Sequence, residues 1–348
     1  MIEQYLYDLQ NRIEPEVEER LYSDWTAFLD GQVRRGFFSP RRARSAPPAV
    51  QWVNLSLNQT LDSFEYMALQ QLSECSAALA QGAGSILNVR ANFGIGILSS
   101  IFGAEVFRMD DALNTLPTTR PLPGGADAIR RLLDAGPPDL GTGFGGKCLA
   151  MGKYFVELFR DYPNIARHVH VYHPDLQGPM DIAELLWGSE LFVALVDSPA
   201  LVYALLGLIV ETYIRFMRQW DAIVPPHDGC ASHWGMLHKG RIMLRDDSAM
   251  NLSPEMFNDF IKPYDQRLLS ELGGGAIHFC GRGDHYIHHV AGMEGVYAIN
   301  VSQPEYNDME CIFRNTVDKG IALIGLQRET AESALSRGRE LHGRVHCW

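Results

Sequence analysis

The sequence predicts an α/β protein of the TIM (β/α)8 barrel type with an N-terminal helical extension. Its 348 residues, 46% hydrophobic and 21% charged, are typical of a globular chain that buries one large core. From about residue 85 onward, short β-type runs alternate with longer helical patterns, as in repeated βα units. There are eight such runs, the number of strands in a TIM-type barrel, although an open doubly wound sheet would also fit.

The eight candidate strands are short and apolar. They cover 86–90, 104–107, 168–172, 241–244, 276–280, 296–300, 321–324 and 344–347. Helices between them have visible starts, with Pro199 following Asp197-Ser198 and Pro254 following Ser253. The longest apolar run, 200–210, is far shorter than the roughly 20 residues that cross a bilayer, and we expect a buried helix there.

Residues 1–50 are predicted to form a helical and basic extension, and residues 51–348 the barrel. A polar amphipathic helix is expected over about 2–30, followed by the arginine-rich stretch 34–44. We interpret that stretch as a solvated loop or a dimer arm, and Phe37 and Phe38 suggest a homodimer.

Charge and cysteine usage exclude several classes of partner. A formal net charge of −12 provides no basic field for a nucleic acid or an anionic membrane, so a small-molecule substrate is expected. The six cysteines are scattered without close pairing, and the acidic beginning lacks the pattern of a signal peptide. These features predict a reduced, cytoplasmic protein.

The strand 276–280 carries His278 and Cys280, two residues apart. Residues i and i+2 of a strand project to the same side, so the imidazole and the sulfur converge near the strand's end. Both are zinc ligands, which predicts two-thirds of a zinc site. The alternative is a hydrogen-bonded histidine beside an apolar free cysteine.

Other polar residues follow predicted strands, where barrel chemistry is located. Asp246 and Asp247 follow one strand, and one of them is expected to bind substrate or act as acid or base while the other caps the turn or helix. The alternative is that both only cap. Predicted substrate contacts are His173, Asp175, Gln177, His233 and Arg282. Asp284 and His285 are alternatives for a further metal ligand or its support.

Three segments, 174–188, 246–254 and His278-Phe-Cys-Gly281, resemble the uroporphyrinogen decarboxylase superfamily. This superfamily comprises the decarboxylase and zinc-dependent methyltransferases that move methyl groups from corrinoid proteins to thiols. The resemblance extends from about residue 85 to the end and implies a TIM barrel.

The methyltransferase branch binds zinc through His-x-Cys and a cysteine at the end of the last strand. The resemblance therefore implies zinc bound by His278, Cys280 and Cys347, which stands in the terminal segment 344–348. It further implies methyl transfer from a corrinoid or a small methyl donor to a thiol, with a corrinoid protein as possible partner. We take this as the first functional expectation.

The decarboxylase branch is cofactor-free and belongs to porphyrin metabolism. Its arginine-rich first loop corresponds here to 89–94, with Arg90 as the one arginine, and its pyrrole-binding aspartate to Asp110 or Asp111. Since a substrate with many carboxylates needs several cations, decarboxylation is the alternative expectation. A non-catalytic corrinoid or tetrapyrrole binding module is the second alternative.

Overall fold

A computed structural model describes residues 2–227 and 229–348, and it has a mixed α/β architecture with parallel sheets. The α/β class expected from the sequence is confirmed. The strands are β1 Asn88–Arg90, β2 Glu105–Phe107, β3 Thr118–Arg120, β4 His170–Tyr172, β5 Cys230–His233, β6 Met236–Lys239, β7 Ile242–Arg245, β8 Gly275–Phe279, β9 Val296–Val301, β10 Ala322–Leu326 and β11 Val345–Cys347.

From β7 to β11 a helix lies between each strand and the next, as the sequence pattern predicts. The helices are α1 Glu3–Arg12, α2 Pro15–Leu29, α3 Leu57–Asp62, α4 Phe64–Gln81, α5 Ile97–Ile101, α6 Gly125–Ala135, α7 Gly143–Phe159, α8 Pro163–His168, α9 Pro179–Trp187, α10 Glu190–Asp197, α11 Pro199–Ile223, α12 Pro254–Phe260, α13 Lys262–Leu272, α14 Ile287–Val290, α15 Met309–Asn315 and α16 Arg328–Ser336.

Strand pairing departs from the eight-stranded barrel expected from the sequence. Each of the eight predicted runs coincides with a strand, and β7 to β11 form one parallel sheet while β1 and β4 form another. However, β2 pairs antiparallel with β3, and β5 with β6. The link between β2 and β3 is too short for the helical crossover that parallel strands need, so β3 returns antiparallel. The pairings in the described residues do not include a complete barrel.

The two faces of the five-stranded sheet bury different layers. One face packs against helices in the main core through Ile277, Ile299 and Leu323. The other, which we call the inner face, carries Ala276, Ala298 and Ala322, which follow one another in register. These small side chains leave room for larger ones from outside the sheet, contributed by β6 and α2: Met236, Leu237, Trp25 and Phe28.

The N-terminal segment is packed into the structure. Pro15 begins α2, so two helices occupy the region where the sequence predicted one. Phe38 forms a parallel bridge with His346 and stacks on Phe28 at 4.8 Å. Arg42 is buried and pairs with Glu18, which corrects the expectation of a wholly solvated basic loop. The domain boundary at residue 50 and the homodimer stay predictions.

Helix α11 is long and apolar enough to cross a membrane by length and composition alone, the one such helix in the described residues. Its most apolar stretch is 56% buried inside the fold. Val202, Leu206, Ile209 and Tyr213 are completely buried. This degree of burial is typical of a core helix, in agreement with the buried helix expected from the sequence.

Candidate metal centre

Asp247, His278 and Cys280 come together at the carboxyl ends of two adjacent strands. Strands β7 and β8 are parallel, with Arg245 opposite His278, so the residues after each strand meet at one edge of the sheet. Cys280 Sγ lies 3.4 Å from His278 Nε2, and His278 Nε2 lies 3.7 Å from Asp247 Oδ1. This is the one group of three potential metal-ligating side chains found in the described part of the chain.

Asn300 determines which nitrogen of His278 faces the centre. Its Nδ2 donates to the Ile324 carbonyl over 2.6 Å, which directs its Oδ1 toward the histidine. An amide oxygen only accepts, so His278 Nδ1 donates to it, over 2.6 Å. The neutral ring then presents the Nε2 lone pair to Cys280 and Asp247, as a metal-bound histidine requires.

The spacings in this group fit tetrahedral zinc. With zinc distances of about 2.3 Å to sulfur and about 2.0 to 2.1 Å to nitrogen or oxygen, tetrahedral angles separate sulfur from nitrogen by about 3.6 Å and nitrogen from oxygen by about 3.4 Å. The corresponding distances here are 3.4 and 3.7 Å. A nitrogen, a sulfur and a carboxylate oxygen are also all zinc ligands. The residues present fit the metal implied by the resemblance.

Burial disfavours the charged forms of both His278 and Cys280. Burial, followed by the negative charge of Asp247, raises the pKa of the Cys280 thiol to about 11. Burial lowers the pKa of His278, so its ring is neutral at neutral pH. A divalent cation would reverse the penalty on the thiolate, because its charge favours the anion.

A buried carboxylate holds the turn that presents Asp247. Asp181 accepts hydrogen bonds from the backbone N–H groups of Asp247, at 3.0 Å, and Ser248, at 2.6 Å. Asp247 Oδ1 in turn accepts from the Cys280 N–H at 2.8 Å, which ties the β7 and β8 ends together. Asp247, predicted as a catalytic residue, is thus placed as the third member of the candidate metal group.

The adjacent Asp246 faces inward to another carboxyl group. It is 1% exposed, and the Asp265 side chain on α13 is close enough to affect its ionisation. Burial and the neighbouring carboxylates raise the pKa of Asp246 well above its ordinary value, and burial raises that of Asp265 to about 8. Two neighbouring buried carboxyl groups disfavour each other's ionised form. Sequence reasoning did not find Asp265, because an acidic residue on a polar helix gives no signal of burial.

Predicted residues Arg90 and Asp175 form an ion-pair network with an arginine that the sequence reasoning missed. Asp175 binds both Arg90 and Arg245. Arg245 is 2% exposed, donates to the Met243 and Leu176 carbonyls, and lies over the Trp234 ring at 4.9 Å. The sequence signal that could have identified Arg245 was a single cationic residue at the end of an apolar strand. The nearby Gln177 is buried.

His173 and His233, both predicted substrate contacts, instead belong to a chain of three buried imidazoles. His233 Nε2 lies 2.9 Å from His173 Nε2, and His233 Nδ1 lies 2.8 Å from His238 Nε2. His173 and His238 each donate their Nδ1 proton to a backbone carbonyl. Both therefore turn Nε2 lone pairs toward His233, whose neutral ring carries only one N–H, and His173 Nε2 also accepts from the Met243 N–H at 3.2 Å.

The remaining predicted residues lie apart from the group. Asp110 is exposed and accepts from the Ala112 N–H at the start of a short 3-10 helix between β2 and β3. Arg282 is exposed and pairs with Asp284 at 2.7 Å. His285 Nε2 donates to the Leu252 carbonyl at 3.0 Å, and its Nδ1 lies 3.8 Å from Asp284 Oδ1.

Cys347 is not brought to His278 and Cys280. It is completely buried in the main core beside Val345 and Leu326, on the helix side of the sheet. Its neighbour His346 faces the opposite way, toward Trp25 at 4.4 Å. The structure therefore supplies Asp247 where the resemblance implied Cys347, because the side-chain alternation of β11 turns the sulfur away from the inner face.

Comparison with known proteins supports the fold. No protein-family model matches the chain, and no curated protein sequence does. Among solved structures, a methyltransferase from Methanosarcina mazei is similar, with a TM-score of 0.65 over 94% of this chain and 92% of that one, at 16% sequence identity. At this identity the likeness shows a shared, methyltransferase-like fold alone. The superfamily implied by the motifs stays a prediction.

Proposed function

We propose that this protein is a zinc-dependent, methyltransferase-like enzyme that moves a methyl group from a corrinoid or a small methyl donor to a thiol. The observation that carries the proposal is the group formed by Asp247, His278 and Cys280, with tetrahedral spacings and a histidine tautomer held by Asn300. The shared fold with a methyltransferase agrees with it. A corrinoid protein as partner and a cytoplasmic location belong to the same proposal.

In this proposal each side chain has a defined task. His278 supplies the Nε2 lone pair, and Cys280 and Asp247 supply two negative charges. When bound, zinc lowers the pKa of a coordinated thiol, so that its thiolate is present at neutral pH. Three protein ligands leave one position open for that thiol.

The reaction is a displacement at the methyl carbon. The acceptor sulfur forms the new bond with its own electron pair, and the bond between the methyl carbon and the donor breaks with its pair staying on the donor. The proton of the acceptor thiol goes to solvent. The chain's contribution is to orient the sulfur and to favour its anion.

The described residues give less support to the decarboxylase alternative. Arg90, the expected carboxylate-binding cation, is already paired with Asp175. Asp110, the expected pyrrole-binding carboxylate, caps an exposed 3-10 helix. Neither side chain is free for the task that the decarboxylase branch assigns to it.

The experiment combines metal analysis with a transfer assay. We expect wild-type protein equilibrated with zinc and dialysed to retain about one zinc per chain. His278→Ala and Cys280→Ala should each lose most of it, and the matched control Cys311→Ala, another half-buried cysteine, should retain it. With methylcobalamin and a thiol panel, only zinc-retaining proteins should form thioether. A folded wild-type protein that binds no zinc would contradict the proposal.

A further inference from the structure

The two-residue turn between β5 and β6 carries an aromatic side chain in an unfavourable backbone conformation. Trp234 and Gly235 both have positive φ, 49° and 78°, and they join the paired residues His233 and Met236. Such hairpin turns favour Asn and Gly, because an L side chain is strained there. A tryptophan at this position indicates a function for its ring.

The tip of the hairpin is held in place from outside. The Gly235 carbonyl accepts from the Ile86 N–H at 2.8 Å, and a side chain at Gly235 would lie 2.7 Å from Ser85 Cβ. The hairpin is therefore pinned to the segment that precedes β1, and the direction in which Trp234 leaves the turn is determined.

The Trp234 indole touches the candidate metal centre on one side. Its ring meets that of His278 edge to face, with centroids 5.0 Å apart and planes at 73°. The Arg245 guanidinium lies over the same indole. The half-buried ring thus packs directly on a proposed ligand.

The same indole also lines a cavity of about 200 Å³. Arg90, Tyr172 and Cys75 also line this cavity, but Asp247, His278 and Cys280 do not. Trp234 both lines this cavity and contacts His278, which places its indole between the cavity and the proposed ligand.

We propose that Trp234 is the specificity-determining residue of this centre: its indole separates the cavity from the metal position and restricts the acceptor to thiols with a small substituent. The inference rests on the proposed function, since it concerns the size of the thiol that reaches the metal. Removing the indole joins the two spaces and admits a thiol with a bulky aromatic group.

The test uses the full chain loaded with cobalt(II) in place of zinc, because thiolate coordination changes the cobalt absorption spectrum. The probes are 2-mercaptoethanol and 2-naphthalenethiol. In wild-type protein only the small thiol should change the spectrum. In Trp234→Asn both should do so, with the Kd for the naphthyl thiol lowered by about tenfold or more. Trp234→Phe keeps a side chain that is strained at positive φ but carries a smaller ring. Its Kd for the naphthyl thiol should lie between those of wild type and Trp234→Asn.

The control is Trp348→Asn, which removes another half-exposed indole beside Gly235 and should leave thiol selection unchanged. Because asparagine tolerates positive φ, Trp234→Asn should unfold at the same temperature as wild type or higher. If wild type and Trp234→Asn bind the naphthyl thiol equally, the role of Trp234 is overturned and the proposed function stands. If neither thiol changes the cobalt spectrum of wild type, the proposed function and this inference both fall.

Discussion

His278 on β8 and His233 on β5 are both buried histidines, but their ring nitrogens have different partners. His278 donates from Nδ1 to the Asn300 amide oxygen and turns Nε2 toward Cys280 and Asp247. His233 has an imidazole nitrogen at each end, from His173 and His238, at 2.9 and 2.8 Å. The His278 ring presents its Nε2 lone pair to the other two members of the candidate metal group. The neutral His233 ring has one N–H for the two nitrogens that face it.

The comparison shows that the hydrogen-bond partner of one ring nitrogen determines whether the other nitrogen can bind a metal. An amide oxygen accepts only, so it leaves a lone pair of known direction on the other ring nitrogen. Two imidazole acceptors leave nothing for a ligand, because both ring nitrogens are already engaged. Sequence inspection selected both residues as site candidates, and only the partners distinguish them.

The largest effect on metal binding is expected from removing Asn300, the hydrogen-bond partner of His278. Asn300→Leu keeps the approximate volume but leaves Nδ1 without an acceptor, so the ring loses its orientation and tautomer preference. Loss of such a supporting hydrogen bond typically weakens metal affinity by 10- to 100-fold, and we expect a change of about that size in the zinc Kd. Competition with a chromophoric chelator measures it.

The control for that variant is Asn164→Leu, at an asparagine on α8 whose side chain donates two hydrogen bonds, to the Gln10 and Ile13 carbonyls. It should reduce stability without changing zinc affinity. Equal zinc affinity in Asn300→Leu and wild type would show that Asn300 does not direct the His278 lone pair.

A second test concerns the protonation state of His233. Burial, and then the charges of His173, His238 and Arg245, lower the pKa of His233 well below its ordinary value. The folded protein then keeps this ring neutral while the unfolded chain gains a proton below pH 6.5. Stability is complete above pH 6.5 and is lost on acidification, by about 1.4 kcal/mol per pH unit for each such histidine.

Replacing His233 by Gln should therefore reduce the pH slope of the unfolding free energy by about 1.4 kcal/mol per unit between about pH 5 and 6.5. Urea unfolding at several pH values measures the slope, and only the slope is used, because the substitution also changes stability at neutral pH. An unchanged or steeper slope would mean that His233 is held as an imidazolium between its two acceptors.

The smallest effect on the metal is expected at Cys347. Its sulfur is buried in the main core, and burial raises its pKa to about 12. Cys347→Ala should cost about 1 kcal/mol of stability through lost packing and leave the zinc content at the wild-type level. Metal analysis beside Cys280→Ala decides this point, and zinc loss equal to that of Cys280→Ala would restore Cys347 as a ligand.

Much of the fold was predictable because it depends on local pattern. All eight predicted strands exist, since short β-type runs between helical segments are a local signal of strands. The i, i+2 spacing correctly placed His278 and Cys280 together, and a position after β7 correctly placed Asp247 near the sheet edge. The antiparallel return of β3 and the β5–β6 hairpin were not predicted.

The sequence by itself determined the α/β class, the positions of the strands and the convergence of one histidine and one cysteine, because these follow from hydrophobic period and strand alternation. Only the tertiary structure decided that Asp247 joins them, that Asn300 holds the histidine, that Cys347 faces the opposite side and that Trp234 stands against the centre. Those outcomes depend on which strands are neighbours and in what register, and such pairings join residues tens to hundreds of positions apart, which no local pattern specifies.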